Sequence, residues 1–450
     1  MNNTYIMSDG TVYSRRKSFC PFSTNKLDEY YGIVEAERIE RLQALAQRLR
    51  GLQILELNST AQGGGVAEIL YRSIPFLNEL GIEAEWKVIN GSERYYECTK
   101  MLHNLLQGMK GHFTRELKQI YLNQLIECVS SNIIDYSPDV VLIHDPQPML
   151  LCKLLKKEGQ SWLWRCHIDI EQSIRARNGL LSLLNEWIAD YDAAIFSAAR
   201  YIFPPWLVPK YVIPPFIDPL SEKNRELSEA EIAGVLQKYQ IDPQIPIIAQ
   251  IGRFDIWKGI DRTIATYQAV SQERQCQLVI AGGFAADDPE GDRVLDSVYA
   301  LTETDPNVHV LNLSLANRLE NYFEVNALQR AASVIMQPSI REGFGLVVTE
   351  ALWKAKPVIA GNVGGMTFQI QKGKTGYFYE NTRKTAQKII YLLDNKEAAR
   401  RIGQSGKRYV QKHFLIIDRI ADYLSAIDIT VNSNLGRKKL AQCVTSFYPW

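Results

Sequence analysis

Short apolar runs alternate with amphipathic helical segments along almost the whole chain, and no other feature of the sequence constrains its fold as strongly. Because a helical pattern separates most of the runs, the strands are predicted to be parallel and buried on both faces. The predicted strands are 52–58, 84–90, 139–145, 161–169, 193–197 and 211–215, then 246–252, 276–283, 307–313, 332–338, 356–361 and 375–379. This alternation predicts doubly wound α/β layers, in which ligands bind beyond the carboxyl ends of the strands.

The length of 450 residues indicates two domains, because one hydrophobic core rarely serves a chain of this size. The alternation is interrupted by "PPFIDPLSEKNRELS" at 214–228, which has the composition of a linker. We therefore predict two Rossmann-like domains that face a central cleft. The predicted divisions are an irregular arm at 1–25, an amino-terminal domain at 26–215, a carboxyl-terminal domain at 216–412, and a helix and tail at 413–450. One arrangement open to this last helix is a return to the amino-terminal domain.

Charge and cysteine content exclude several classes of protein. The formal net charge of +1 gives no global field for nucleic acid or a membrane surface, so any anion site must be local. The seven cysteines are scattered and never spaced as C-x-x-C, which argues against a disulfide framework and structural zinc. The amino terminus has no signal-peptide core, and no apolar run is long enough to span a membrane. We predict a cytoplasmic protein without a transmembrane segment.

A pair of cations follows the first strand of the second half, in "GRFDIWKG" at 252–259. Arg253 and Lys258 stand at the carboxyl end of a predicted strand, where both can converge on one anion. An arginine offers a planar fork for phosphate oxygens, and a lysine offers a point charge. Two exposed cations at the start of a helix are the alternative.

Two glycine-rich segments differ in what they predict. "QGGGVAE" at 62–68 joins a strand to a helix, so its backbone N–H groups can approach a phosphate. It is not a dinucleotide fingerprint, because Glu68 stands where the pattern requires glycine, and NAD is therefore disfavoured. A turn needed only for chain geometry is the alternative. "GKTG" at 373–376 lacks the first glycine of a phosphate-binding P-loop and is predicted to be a turn.

Polar side chains gather at two strand ends of the first half. His144 and Asp145 lie in "IHDPQP", and His167 and Asp169 lie in "WRCHIDI". Their spacing matches no compact metal-ligand pattern, so the lining of a sugar-sized pocket fits better than a metal site. Histidines held by ordinary structural hydrogen bonds are the alternative.

Two glutamates flank a glycine turn in "REGFGLVVTEALWKAKPVIA", which begins at Arg341. A strand is predicted before the turn and a helix after it, so the backbone N–H groups near Gly343 to Leu346 can point at an anion. Carboxylates such as Glu342 and Glu350 can accept hydrogen bonds from the diols of sugars. The same spacing also suits carboxylates that only stabilise a helix start.

Taken together, "GRFDIWKG" and "REGFGLVVTEALWKAKPVIAGNVGG" resemble the donor-binding pattern of retaining glycosyltransferases of family 4, which have the GT-B fold. "LELNSTAQGGGVAEILYRSIPFLNELGIEAEWKVI", "HDPQP", "WRCHIDI" and "PPFIDPLSEKN" are similar to the trehalose synthase and trehalose phosphorylase branch. The resemblance covers roughly residues 28 to 425.

The resemblance implies a role for each candidate residue. Arg253, Lys258, Glu342 and His167 would be the catalytic set, in which the two cations stabilise the departing phosphate and the other two contact the donor sugar. Donor and nucleotide binding would fall to Glu350 at the ribose and to Gly343, Phe344, Gly345, Leu346, Gly63, Gly64 and Gly65. The acceptor side would include His144, Asp145, Arg165 and Asp169. No protein nucleophile, metal or cofactor is expected.

The resemblance implies retaining transfer of a hexosyl group, glucose, from a nucleotide sugar to a sugar or polyol acceptor, forming trehalose or a related glycoside. A trehalose-type phosphorylase and a non-catalytic binder of nucleotide sugars are the alternatives. No nucleic-acid partner is expected. The sequence leaves open a homodimer formed through the amino-terminal arm or the tail.

Overall fold

The computed structural model describes residues 4–6, 12–14, 27–61, 64–171, 173, 180–203, 205–283, 291–313, 317–435 and 444–446. The chain divides into two compact units, unit 1 (1–214 and 416–450) and unit 2 (215–415). The predicted divisions were placed after 215 and after 412. Of the predicted arm at 1–25, the structure describes only strands β1 (Thr4–Ile6) and β2 (Val12–Ser14), which pair antiparallel.

Unit 1 contains a parallel sheet of seven strands in the order β15-β8-β7-β6-β5-β3-β4. Its central strands are apolar and buried along their whole length, as the sequence predicted for strands covered on both faces. The strands are β3 (Gln53–Asn58), β4 (Glu83–Val88), β5 (Val140–His144), β6 (Ser161–Cys166), β7 (Ala193–Phe196), β8 (Lys210–Val212) and β15 (Val444–Ser446).

Two helices of unit 1, α3 and α4, begin at a side-chain cap. Ser92 and Thr114 accept hydrogen bonds from the backbone N–H groups at the start of α3 and α4. The helices are α1 (Ala36–Arg48), α2 (Gly65–Glu79), α3 (Glu93–Leu106), α4 (Arg115–Ser130), α5 (Leu151–Leu155), α6 (Leu180–Ile188) and α15 (Ile416–Leu435). Helix α15 packs on α1, where Asp418 and Asp422 pair with Arg38 and Arg41.

Unit 2 contains a parallel sheet of six strands in the order β11-β10-β9-β12-β13-β14. The strands are β9 (Ile247–Ile251), β10 (Gln277–Gly282), β11 (Val308–Asn312), β12 (Val334–Gln337), β13 (Val358–Ala360) and β14 (Tyr377–Phe378). The helices are α7 (Glu229–Lys238), α8 (Ile260–Ser271), α9 (Gly291–Thr302), α10 (Arg318–Ala331), α11 (Leu346–Trp353), α12 (Met366–Gln369), α13 (Thr382–Asp394) and α14 (Lys396–His413). Each unit thus confirms the predicted class, a doubly wound parallel α/β layer.

The predicted linker at 214–228 is wrong for most of its length. Residues 215–228 belong to unit 2, and Asp218, Ser221 and Asn224 are buried there. The Asn224 amide donates to the backbone oxygen of Asp218 over 3.1 Å, and Asn326 donates to the backbone oxygens of this segment. The polar residues that suggested a linker instead satisfy a buried irregular backbone.

Two further findings bear on the sequence predictions. No helix among the described residues is long and apolar enough to cross a membrane. The five cysteines within those residues are buried thiols, none of them in a disulfide: Cys98, Cys128, Cys152, Cys166 and Cys276.

Candidate active site

The sheet of unit 2 reverses its winding between β9 and β12. The chain runs from β9 outward through β10 and β11, then crosses back to place β12 on the other side of β9. The carboxyl ends of two such neighbouring strands leave a crevice, which is where open α/β sheets bind ligands. Arg253 follows β9 and Glu342 follows β12, so the winding order brings both predicted site segments to one crevice.

Lys258 and Glu342 form an ion pair in this crevice. The Lys258 Nζ lies 2.5 Å from Glu342 Oε2, and each side chain keeps about one seventh of its surface exposed (15% and 13%). The Ser339 hydroxyl donates to the same carboxylate oxygen over 3.4 Å. A mostly buried carboxylate oxygen is therefore held by one cation and one neutral donor.

The position of Lys258 depends on local backbone geometry. A short 3₁₀ segment, Ile256–Lys258, begins after Asp255, whose carboxylate accepts the Trp257 N–H over 2.8 Å. Gly259 then adopts a left-handed φ of 63°, and a Cβ there would stand 2.4 Å from the backbone oxygen of Pro338. Glycine is required because the two loops approach too closely for any side chain. The Ile340 N–H also donates to the Trp257 oxygen over 2.7 Å, which ties the loops together.

Arg253 lies on the same loop as Lys258, five residues before it in the chain. Its side chain is 35% exposed, and Nη2 lies 3.5 Å from the buried carboxylate of Asp255. Since the Asp255 carboxylate also caps the 3₁₀ segment, it links the positions of Arg253 and Lys258. The arrangement can present two positive charges to an anion.

The glycine turn between the predicted glutamates caps helix α11. Gly345 has a left-handed φ of 84° and stands at the helix start. The Gln369 amide donates to the backbone oxygens of Phe344 and Gly345, at 2.7 and 3.4 Å, and the Gly365 N–H donates to Gly343. These contacts use carbonyl oxygens of the turn and fix its shape, while the helix start at Leu346 directs backbone N–H groups outward.

Glu350 is buried within α11, and the contacts of its carboxylate do not include Glu342. Its Oε1 lies 3.0 Å from Lys223 Nζ, and the Gln329 amide donates to Oε2 over 3.5 Å. The carboxylate is almost fully covered, with 2% of the residue exposed. Lys223 was not among the predicted site residues. It lies in the predicted linker, where a lysine gives no indication of a binding role.

A second lysine lies under the same helix. Lys354 is buried and donates to Asn224 Oδ1 over 3.1 Å and to the Glu350 backbone oxygen over 3.4 Å. Burial lowers the pKa of its ammonium to about 7, while the Glu350 charge acts in the opposite direction. Lys223 is thus the cation that pairs with the Glu350 carboxylate, whereas Lys354 contacts the backbone of the same residue.

In unit 1 the structure brings His144 and His167 together. His144 Nδ1 lies 2.9 Å from His167 Nε2, and His144 Nε2 lies 2.7 Å from Glu56 Oε2. The other oxygen of Glu56 accepts the Tyr423 hydroxyl over 2.9 Å. Glu56 and Tyr423 were missed, although a glutamate inside the apolar strand "LQILELN" was a visible signal of a buried polar network.

Burial determines how these groups titrate. It lowers the pKa of His144, against the opposing effect of Glu56, and lowers the pKa of His167 further, helped by the charge of Arg165. Burial therefore favours the neutral form of both rings. Burial also lowers the pKa of Arg165, whose guanidinium lies over the Tyr423 ring with Cζ 5.9 Å from its centroid. Nε and Nη2 of Arg165 have no hydrogen-bond partner among the described residues.

The remaining predicted residues of unit 1 lie around the same strand ends. Asp145 adopts a left-handed φ of 60° and accepts the His167 backbone N–H over 2.7 Å, and burial raises the pKa of its carboxyl to about 7. Asp169 lies 3.6 Å from Arg200 Nη2. Gly64 and Gly65 stand at the start of α2, whereas Gly63 lies outside the described residues.

No group of three or more candidate metal ligands occurs among the described residues. The structure thus joins Lys258 with Glu342 and His144 with His167. Glu350 shares no contact with either pair, and its carboxylate is bound by Lys223 and Gln329 instead.

Comparison with protein families gives two matches that together span most of the described chain. Residues 56–203 match the model "Trehalose synthase, N-terminal domain". Residues 235–409 match the model "Glycosyl transferases group 1". The first range covers the histidine cluster of unit 1, and the second covers Arg253, Lys258 and both glutamates of unit 2.

Individual proteins give the same assignment. A trehalose synthase of Pyrococcus horikoshii is 42% identical over 407 residues, 90% of this chain and 96% of that protein. A trehalose phosphorylase of Pleurotus sajor-caju is 27% identical over 80% of this chain but only 55% of its own length. A trehalose-6-phosphate protein of Escherichia coli, solved with UDP-2-fluoro glucose bound, superposes with a TM-score of 0.60 at 13% identity over 86% of this chain and all of that one. This likeness shows the GT-B fold.

Proposed function

This chain belongs to the trehalose synthase family of glycosyltransferases, and on that premise we propose that it moves glucose from a nucleotide sugar to a sugar acceptor with retention of configuration. Trehalose or a related glycoside is the expected product. The single observation that carries the proposal is the Lys258–Glu342 pair at the crevice of unit 2, with Arg253 on the same loop.

The cations of unit 2 suit the departure of a nucleoside diphosphate. When the bond between the sugar C1 and the phosphate oxygen breaks, negative charge develops on that oxygen. Arg253 and Lys258 would stabilise this charge, and backbone N–H groups at the start of α11 would add neutral donors. Since both cations are positioned before the donor arrives, little reorganisation is needed during the reaction.

Retention of configuration follows if the acceptor hydroxyl attacks the face that the leaving group vacates. A new bond forms between the acceptor oxygen and C1, and the hydroxyl proton passes to the departing phosphate oxygen. No protein nucleophile takes part in this proposal. Glu342 would accept hydrogen bonds from hydroxyl groups of the donor sugar, and Lys258 would keep its carboxylate oriented.

Glu350 is proposed as the ribose contact of the nucleotide. A carboxylate can accept both hydroxyls of a ribose diol. In this structure Lys223 covers Glu350 Oε1, so a ribose contact requires the Lys223 side chain to share the carboxylate or move aside.

A trehalose-type phosphorylase is the second candidate, supported by the likeness to the Pleurotus protein. Such an enzyme takes inorganic phosphate and a disaccharide, and needs no ribose contact. The proposed ribose contact of Glu350 would be of use only with a nucleotide, so it favours the nucleotide sugar as donor. A non-catalytic binder of nucleotide sugars would retain affinity for a nucleoside diphosphate while giving no product.

One assay separates these functions. The protein is incubated with a panel of nucleotide glucoses and with glucose 1-phosphate, each with a panel of sugar and polyol acceptors, and products are identified by mass spectrometry. The anomeric configuration of the product is read by NMR coupling constants. Transfer from a nucleotide donor with retention is expected. Turnover from glucose 1-phosphate alone would favour the phosphorylase, and calorimetric binding of nucleotide without product would favour the binder.

A further inference from the structure

A continuous hydrogen-bonded chain runs through unit 1 from helix α15 to the carboxyl end of β6. It connects Tyr423, Glu56, His144 and His167 through contacts of 2.9, 2.7 and 2.9 Å in that order. Tyr423, Glu56 and His144 are each at most 2% exposed. His167 is the partly exposed end of the chain.

The direction of each hydrogen bond follows from the chemistry of the groups. Burial and the neighbouring Glu56 raise the pKa of Tyr423 well above its ordinary value, so its hydroxyl stays protonated and donates to Glu56 Oε1. A carboxylate can only accept, so the His144 ring must carry its proton on Nε2 and donate it to Glu56 Oε2. Arg165, which lies within electrostatic range of Glu56, supplies a balancing positive charge.

The second ring then has a single permitted tautomer. With its proton on Nε2, the neutral His144 ring presents a lone pair at Nδ1. The atom opposite is His167 Nε2, which must therefore carry a proton and donate it. The two ring planes are inclined by only 13°, so the N–H of one ring points along the in-plane lone pair of the other. A neutral His167 is left with its lone pair at Nδ1.

We propose that Glu56 and His144 are positioning residues that fix His167 as the tautomer with its proton on Nε2, so that Nδ1 accepts a hydrogen bond from a hydroxyl group of the bound sugar. This inference rests on the proposed function, since it names the sugar as the partner of His167. A second contact fixes the backbone of the same residue, because the His167 backbone N–H donates to Asp145 Oδ1 over 2.7 Å.

This chain of contacts explains why a glutamate and a tyrosine are buried in unit 1. A hydrogen-bonded carboxylate that orients an imidazole and sets its tautomer is a known way to hold a histidine ready for a substrate. Without it, the His167 ring could rotate or move its proton to Nδ1, where it could no longer accept a hydrogen bond from the sugar hydroxyl. The cost would appear in sugar binding and turnover, not in affinity for the nucleotide.

The tautomer can be measured directly by NMR of the full-length protein labelled with ¹⁵N at its six histidines. His167→Gln and His144→Phe assign the two rings. We expect a protonated Nε2 and an unprotonated Nδ1 for both His144 and His167 in the wild type. A proton on Nδ1 of His167 would overturn the proposal without recourse to any variant.

Variants then test the positioning role. His144→Phe keeps the ring shape but removes the acceptor for His167, and Glu56→Gln keeps an amide oxygen that can accept from His144. We expect His144→Phe to mix the His167 tautomers and to lower kcat/KM for the sugar substrate roughly ten-fold, the effect of one hydrogen bond. Glu56→Gln should retain the tautomer and most of the rate. Calorimetric affinity for the nucleoside diphosphate should be unchanged in both.

The matched control is His309→Phe, on the edge strand β11 of unit 2, where the ring Nε2 lies 3.2 Å from Gln277 Oε1. It should leave the His167 tautomer and transfer unchanged. If His144→Phe leaves both the His167 tautomer and kcat/KM unchanged, the positioning role is refuted. Absence of transfer by the wild type would refute the proposed function alone, since the ¹⁵N spectrum still decides the tautomer.

Discussion

The Lys258 ammonium lies 2.5 Å from the Glu342 carboxylate, although 84 residues separate them in the chain. The pair forms because β9 and β12 are neighbours in the sheet of unit 2, so that the loops that follow them meet at one crevice. The cation proposed for the leaving phosphate and the carboxylate proposed for the sugar hydroxyls are therefore adjacent before any substrate binds.

Removal of Lys258 should abolish most of the transfer. We expect Lys258→Ala to lower kcat by roughly two orders of magnitude or more, because developing charge on the phosphate loses a positioned cation. Steady-state kinetics with the preferred nucleotide sugar gives the measurement. Lys372→Ala is the control, since it removes a lysine that is also paired, with Glu380 at 3.0 Å, but is 63% exposed. Near-normal turnover in Lys258→Ala would exclude the phosphate role.

Glu350→Ala should discriminate between donors. If Glu350 contacts the ribose, the variant loses activity on the nucleotide sugar and changes little on glucose 1-phosphate. Calorimetry should show weaker binding of the nucleoside diphosphate as well. Glu226→Ala is the matched control, because Glu226 also pairs with cations of unit 2, Arg330 and Lys407, but its side chain is exposed. An equal loss on both donors would count against the ribose assignment.

Gly345→Ala should damage function more than backbone strain alone can explain. Its φ of 84° is unfavourable for alanine by about 1 kcal/mol, and its new Cβ would lie 3.2 Å from Glu342 Cγ and 3.0 Å from Met366 Cε. Gly373→Ala has the same kind of strain, at a φ of 78°, with no atom within 4 Å. Both variants should lose similar stability in denaturant unfolding. Only Gly345→Ala should also lose turnover. Equal kinetics in the two variants would show that turnover does not depend on the position of the Glu342 side chain.

Asp145 should make stability depend on pH. Burial raises its pKa from 3.8 to about 7, so the stability it contributes is complete below about pH 4 and is lost as the pH rises through about 7. Asp145→Asn cannot ionise, keeps an acceptor for His167, and tolerates the left-handed backbone. The free energy of unfolding of Asp145→Asn should therefore exceed that of the wild type by a larger amount at pH 8 than at pH 5. The same substitution at the exposed Asp296 is the control, and a flat difference for Asp145→Asn would contradict the raised pKa of Asp145.

Transfer should not need a divalent metal. Arg253 and Lys258 supply the positive charge that a metal would otherwise bring to the diphosphate. Dialysis against a chelator is expected to leave kcat unchanged within error, with added Mg²⁺ as the comparison. A loss of activity that Mg²⁺ restores would show that the two cations are insufficient.

The layered fold was predictable because strand burial on both faces leaves a simple sequence signal. Each predicted strand of both sheets is present, and the residues of "GRFDIWKG" and "REGFG" do lie just beyond strand ends. The linker prediction failed at 215–228 for the opposite reason. Prolines and polar residues have the same composition whether they face water or satisfy a buried irregular backbone, so composition could not distinguish the two.

The sequence by itself determined the class of fold, the family resemblance and the candidate site residues. Those properties depend on local periodicity and on short motifs, which are written along the chain. Only the tertiary structure decided the partners: Lys258 with Glu342, Lys223 with Glu350, and Glu56 with His144 and His167. Each of these contacts joins residues at least 23 positions apart, and their distances are set by strand order and packing, for which a linear sequence has no local signal.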